Sequence, residues 1–399
     1  MNVSTRISEL QASPIRRLAP YAKEALARGI KVYHLNIGQP DIKTPARVIE
    51  AVRNYQEPLI AYGASEGRED LRSALPAYYK KYGVDVQVDE ILITTGGSEA
   101  LHYTFMTLCD SGDEVIIPEP FYTNVASFAH AVGVKLVGVT SRIEDNFALP
   151  PLSEFEAKIT DRTRAILICS PNNPTGYIYS EEELQALLAL CEKHNLFLVV
   201  DEVYREFCYD GQRFVSVLSF EEYADRVVCL DSFSKRYSMC GARVGAFVSR
   251  NKAVIAGALK LGQARLCPPE IEQIAAHAAL GTDDSYLAEV KDEYERRRNT
   301  IVKALQEIDG VVVSSPKGAF YLVAELPVDD AERFAIFMLK DFSLNGKTVM
   351  VSPCENFYIT AGLGKNQVRI AYVLNEADLR SAAECLRAGL DAYRSATRR

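Results

Sequence analysis

Short apolar runs recur along the chain between helical stretches, and each run closes on a polar turn rich in Gly, Pro, Asn or Ser. That alternation predicts a parallel α/β sheet. The runs read as strands are Ile91–Thr94, Glu114–Ile117, Lys135–Val139, Ala165–Cys169, Leu196–Val200, Val227–Leu230 and Gly245–Val248. Most are continuously apolar rather than alternating, the pattern of strands covered on both faces. Between them Glu181–His194 reads as a helix, with Ser180 as N-cap and Glu183 completing a capping box.

The two ends of the chain read differently. Ser13–Gly29 suggests an arm followed by a short amphipathic helix, and HLNIGQPDIKTP after it reads as loop. Near Asp283 a long charged helix begins. Beyond it VVVSSPKGAFYLVAEL and VMVSPCENFYITAGLGKNQVRIAYVL predict a small antiparallel sheet, closed by a helix from Glu376 onward. The charge run Lys291–Arg298 reads as a solvated helix face. The expected organisation is an arm and small-domain segment (1–45), a large domain on a mainly parallel seven-stranded sheet sandwiched by helices (46–285), and a smaller α+β domain (286–399).

Composition narrows the function classes. The 399 residues, 48% hydrophobic and 25% charged, match a soluble globular protein of two or three domains. A net charge of -8 repels phosphate backbones, so no nucleic-acid partner is expected. The first thirty residues hold no apolar segment of signal type and no run of ~18 apolar residues occurs, so a cytoplasmic protein without a membrane partner is expected. The nine scattered cysteines form no C-x-x-C pair and read as reduced thiols, and the five histidines show no metal-ligand spacing.

In open α/β sheets ligands bind outside the carboxyl ends of the strands. Those ends carry Gly96-Gly97-Ser98, then Phe121-Tyr122, Asn172-Asn173-Pro174, Asp201 with Tyr204, and Ser232-Phe233-Ser234-Lys235. Gly97 and Ser98 open a helix whose first N–H groups suit an anion. Asp201 follows an apolar run and needs a cationic or N–H partner, unless it is an ordinary helix cap. Lys235 stands where a desolvated amine can attack a carbonyl, and Arg243 lies in a glycine-bracketed turn suited to phosphate. A hydrolase elbow fails because residue 100 is Ala, and GLGK at 362–365 lacks the Ser or Thr of a phosphate loop. Taken jointly, an anion nest, a carboxylate, an aromatic plate and an amine are the groups that pyridoxal 5′-phosphate requires.

These residues carry a resemblance. Ser232-Phe233-Ser234-Lys235 with Arg243-Val244-Gly245, Asn173-Pro174-Thr175-Gly176, Asp201-x-x-Tyr204 and Val368-Arg369-Ile370-Ala371 resemble the fold-type I, class I aminotransferases, and the likeness runs from Ser13 to the last helix. The resemblance implies that Lys235 holds the cofactor as an internal aldimine and later shuttles the proton. Asp201 would pair with the pyridinium nitrogen, Asn173 and Tyr204 would bond the phenolic oxygen, and Tyr122 would stack on the ring. Gly97, Ser98, Ser232, Ser234 and Arg243 would hold the phosphate, with Tyr62 reaching a neighbouring subunit's phosphate. Arg369 would clamp the substrate α-carboxylate, under the loop that contains Gly38.

The implied activity is ping-pong transfer of an amino group from an L-amino acid to a 2-oxo acid, commonly 2-oxoglutarate, through the pyridoxamine form. The implied assembly is a homodimer with shared sites. Aspartate ranks first as donor, alanine second, aromatic and other donors behind. Arg265 and Arg16 are the candidates for reading a distal carboxylate. A β-lyase on the same scaffold is the alternative class, and a cofactor-sensing regulator ranks lowest.

Overall fold

Continuous apolar runs become central strands. The structure, a computed structural model, describes residues 3–10, 13 and 16–397; Pro14 and Ile15 of the expected arm lie outside the described residues. In chain order the strands are β1 (Lys31–His34), β2 (Ile91–Thr94), β3 (Glu114–Glu119), β4 (Lys135–Thr140), β5 (Thr163–Cys169), β6 (Phe197–Asp201), β7 (Val227–Ser232) and β8 (Gly245–Val248). They continue with β9 (Val312–Val313), β10 (Tyr321–Glu325), β11 (Lys347–Met350), β12 (Ser352–Pro353) and β13 (Gln367–Ala371).

The seven runs predicted as strands form one sheet in the order β2-β8-β7-β6-β5-β3-β4. Only β8 runs against the rest, pairing antiparallel with β2 and β7. Neighbouring residues of a strand enter opposite cores: Ile93, Val200 and Val248 pack on one face, Leu92, Val199 and Phe247 on the other. Each such side chain contributes roughly 1.5–3 kcal/mol on burial, so polar chemistry is confined to the strand ends.

Those ends extend beyond the apolar runs. β6 reaches Asp201, which pairs with Cys169 and Leu230, and β7 reaches Ser232, which pairs with Gly245. The reversed direction of β8 has a direct consequence: Gly245 lies beside both Thr94 and Ser232, so the residues just before it share the rim on which β2 and β7 end. A Cβ on Gly245 would fall 2.6–2.7 Å from the Gly96 carbonyl carbon, the Gly97 nitrogen and the Asp231 carbonyl oxygen. Glycine is the residue that lets these three backbones meet.

The expected antiparallel sheet is present as β12-β13-β10-β9. β1 was not expected; it pairs in parallel with β11, and its four residues include only two buried ones, too short a pattern to read. Leu18, Ala22 and Val32 share one core with Leu379, Leu386 and Leu390 of the last helix. The charge run 291–298 corrects a second expectation, because Arg297 and Arg298 are 5% and 4% exposed. Arg297 bonds Asp41 at 2.6 Å and Arg298 bonds Asp210 at 2.6 and 2.8 Å. Paired carboxylates from distant segments make burial of these guanidiniums tolerable.

The helix Glu181–Lys193 begins as its sequence predicts. Ser180 accepts from the Glu183 N–H at 3.2 Å while the Glu183 carboxylate accepts from the Ser180 N–H at 2.8 Å. Ser180→Ala should destabilise the protein by about 0.5–2 kcal/mol, read from the midpoint of urea unfolding at unchanged slope. An unchanged midpoint would show that the cap is redundant.

Candidate active site

Five strand ends and the turn before β8 surround a cavity of about 510 Å3. Gly38, Gly97, Ser98, Tyr122, Asn173, Asp201, Tyr204, Ser232, Ser234, Lys235, Arg243 and Arg369 all line it. Tyr62 does not. It is 80% exposed, on a loop outside the cavity.

At one end sits an anion nest. Gly96 has φ +76°, and it turns the chain into the helix Gly97–Leu108. Among the described residues the Gly97 and Ser98 N–H groups have no backbone acceptor, as expected at a helix start. Ser232 and Ser234 lie with their hydroxyls 2.9 Å apart. Arg243, in the left-handed region at φ 54°, donates to the Cys240 carbonyl at 3.0 Å and pairs with no carboxylate among the described residues. Hydroxyls, free N–H groups and an unpaired guanidinium together suit a phosphate.

Asp201 lies at the end of β6, the strand next to β7. Its carboxylate accepts one hydrogen bond, from the Val203 N–H at 3.2 Å, and makes no ion pair among the described residues. Burial pushes its pKa up to about 7, and the negative charges of Asp231 and Glu202 add to the effect. A carboxylate so placed fits a protonated ring nitrogen. Tyr122, on the loop after β3, offers a flat face, and burial pushes its phenol up to about 12.

Arg369, in the middle of β13, is 1% exposed and has no carboxylate partner among the described residues. Its two terminal nitrogens donate to the Asn173 side-chain oxygen at 3.1 Å and the Asn36 carbonyl at 2.5 Å, leaving Nε without a partner. Aromatic faces hold the rest, with Tyr321 4.7 Å and Phe357 5.3 Å from the guanidinium carbon. Asn173 also donates to the Tyr204 hydroxyl at 3.5 Å.

Lys235 donates from Nζ to the Gly38 carbonyl at 2.7 Å. That loop can approach because residue 38 has no side chain: a Cβ there would fall 1.7 Å from the Tyr321 hydroxyl oxygen. Tyr321 is a cavity residue that sequence reasoning passed over. Its hydroxyl is 3.0 Å from that of Tyr204, and its ring underlies Arg369. The only signal was a hydroxylated aromatic opening an apolar strand after Gly318-Ala319-Phe320.

The two candidate distal arginines separate. Arg265 bonds Glu99 at 2.6 Å and the Ser65 carbonyl at 2.8 Å, outside the cavity of its own subunit. Arg16 lines the cavity and has no hydrogen bond or ion pair from its side chain among the described residues.

This donor set suits a planar, phosphorylated pyridine bearing an aldehyde: an anion nest, a carboxylate for the ring nitrogen, a Tyr–Asn pair for a phenolic oxygen and an amine for the aldehyde carbon. Among the described residues no cluster of His, Cys, Asp and Glu could hold a metal ion, and no helix is long and apolar enough to cross a membrane.

Comparison with known proteins gives the same picture. The family model for aminotransferase class I and II matches residues 30–386. An aspartate aminotransferase of Thermotoga maritima is 36% identical over 83% of this chain and 86% of that protein, and one from Pyrococcus horikoshii is 33% identical over 98% and 97%. A solved alanine aminotransferase from Pyrococcus furiosus superposes with a TM-score of 0.89 at 30% identity, covering 98% of this chain and all of that one. With the family match running nearly end to end over a strand-end site of this composition, the chain belongs to the class I and II aminotransferases.

Proposed function

We propose that this aminotransferase works with pyridoxal 5′-phosphate held in the cavity, as a homodimer, and that aspartate is its preferred amino donor with 2-oxoglutarate as acceptor. The observation that carries the reading is a pair of opposite charges, Asp201 and Arg369, lining one cavity with no ionic partner of their own among the described residues. When bound, the cofactor supplies an aldehyde that takes the amino group and a protonated ring that draws electrons from the substrate Cα.

The protein's residues do the rest. Arg369 receives the substrate α-carboxylate as a two-point fork, oriented by Asn173 and the Asn36 carbonyl. Asp201 keeps the proton on the ring nitrogen. Tyr204 and Asn173 offer donors to the phenolic oxygen, and Tyr122 supplies the flat wall. Lys235 Nζ would hold the aldehyde carbon and would move the proton at the substrate Cα. Its hydrogen bond to Gly38 gives it a fixed resting position on the substrate side. Tyr62 belongs to the dimer reading: with Leu59 and Ile60 it forms an exposed apolar stretch, 80%, 73% and 60% exposed, that a second copy would cover.

Donor preference rests on Arg16. Its unpaired guanidinium faces the cavity, whereas Arg265 is already neutralised by Glu99. The names of the Thermotoga and Pyrococcus horikoshii relatives agree with this preference.

Three outcomes test the proposal. The protein incubated with pyridoxal 5′-phosphate and reduced with borohydride should carry its adduct on Lys235, with Lys235→Ala inactive; an adduct on another residue removes the assignment. Arg16→Gln should lower kcat/KM for aspartate about tenfold, the loss of one charge-assisted hydrogen bond, and barely change that for alanine. Equal losses for the two donors would exclude Arg16 from donor recognition.

The third outcome concerns pH. With the cofactor removed, Asp201 titrates near 7 in the folded chain and near the ordinary carboxylate value of about 4 when unfolded. Its contribution to stability is therefore full below about pH 4 and is lost as pH rises toward 7. Asp201→Asn apoprotein should lose less stability than wild-type apoprotein over that interval, measured by urea unfolding at several pH values. Parallel profiles would refute the raised pKa.

A further inference from the structure

Behind the cavity the turn that carries Asp201 and the turn that carries Lys235 are joined by a buried ionic cluster, which also takes in Glu206, 3.5 Å from Arg236. Arg236 makes a fork onto Asp231 at 2.7 and 3.1 Å, and Tyr79 donates to the same carboxylate at 2.8 Å. Arg205 stands 3.6 Å from Asp231 and 3.2 Å from Glu202, and the Arg236, Asp231, Arg205 and Glu202 side chains are fully buried. Glu202 is fixed in turn by the Ser216 hydroxyl and the Val217 N–H, the latter at 2.8 Å.

The placement of these residues in the chain is the point of the argument. In Asp201-Glu202-Val203-Tyr204-Arg205, the first, third and fourth residues line the cavity, while the second and fifth enter the cluster. In Asp231-Ser232-Phe233-Ser234-Lys235-Arg236, the outer two enter the cluster, while Ser232, Ser234 and Lys235 line the cavity. Each turn thus has a chemical side and an anchored side, and the anchored sides share one carboxylate. Burial alone would raise the Asp231 pKa, yet the Arg205 and Arg236 guanidiniums hold it well below the usual carboxylate range.

Buried ion sets of this kind give little net stability compared with apolar packing, because desolvation offsets the attraction. What a bidentate fork does supply is direction and distance. We infer that Asp231, with Arg236, Arg205 and Tyr79, is a positioning device that sets Lys235 and the two serines relative to Asp201. None of the four lines the cavity. This rests on the reading of Lys235 and Asp201 as cofactor-binding groups.

The test uses the full chain reconstituted with pyridoxal 5′-phosphate. Asp231→Asn keeps the shape of the side chain and removes the charge; Tyr79→Phe removes one hydrogen bond and leaves both ion pairs in place, so it decides the matter if the first variant fails to fold. For Asp231→Asn, kcat should fall on the order of 10- to 100-fold at nearly unchanged KM for the donor, the signature of a misplaced reacting group. The pH midpoint of the visible absorbance of the Lys235-linked cofactor should also move. Tyr79→Phe should show both changes at smaller amplitude. A folded variant with lowered thermal stability but wild-type kcat and wild-type absorbance midpoint would overturn the inference and leave the cluster a purely structural feature. Lys235→Ala separates the two levels: if borohydride still fixed the cofactor covalently to that variant, the assignment of Lys235 would fail, whatever the kinetics of the cluster variants.

Discussion

The structure depends on holding a carboxylate and a guanidinium at one cavity with no ionic partner for either among the described residues. A chain that buries an ion and leaves it unpaired loses several kcal/mol relative to one that pairs it. Asp201 meets the cost with a single backbone hydrogen bond and a raised pKa, and Arg369 with two neutral oxygens and two aromatic faces. Neither arrangement is the best the protein could make for its own stability. On the proposed function both would become complete when a protonated ring and a substrate carboxylate enter, and binding would draw on an interaction that folding left unmade.

Sheet topology is what permits this. Parallel strands buried on both faces exclude charge along their length and deliver it at one rim, and the reversed β8 brings the approach to Arg243 to that same rim. Arg369 comes from elsewhere, on β13 of the small sheet, whose core also takes in Leu18, Ala22 and Val32 from near the start of the chain. The cavity therefore draws its anion nest and Asp201 from one sheet and Arg369 from another, with Gly38, Tyr321 and Asn173 as the contacts between them.

Much of this could be read in the residues themselves. Continuous apolar runs located all seven central strands, because two-sided burial leaves an unmistakable pattern. The polar residues that follow them located the cavity, because charge has nowhere else to go. What could not be read was pairing between distant segments. Arg297 and Arg298 look like solvent-facing charge until Asp41 and Asp210 are seen beside them, and β1 is too short to announce itself without β11. Tyr321 is indistinguishable from a core aromatic until the fold sets it under Arg369 and against Gly38. Arg265 and Arg16 are equal in the sequence and differ in the fold, since Glu99 meets one and nothing among the described residues meets the other.

The residues proposed for chemistry and the one proposed for donor choice are held differently. Lys235, Asp201, Asn173 and Arg369 are held on or beside ladder strands, where a displacement would disturb registers on both sides. Arg16 sits in the turn before the first helix of the shared core, its N–H donating to the Ser13 carbonyl at 3.0 Å and its carbonyl accepting from the Ala19 N–H at 2.9 Å, while its exposed side chain has no hydrogen bond or ion pair among the described residues. A group held that loosely can be exchanged without touching the sheet. Donor preference can then vary among proteins that keep one fold and one chemistry, in keeping with relatives of nearly equal similarity that bear aspartate and aromatic amino acid names.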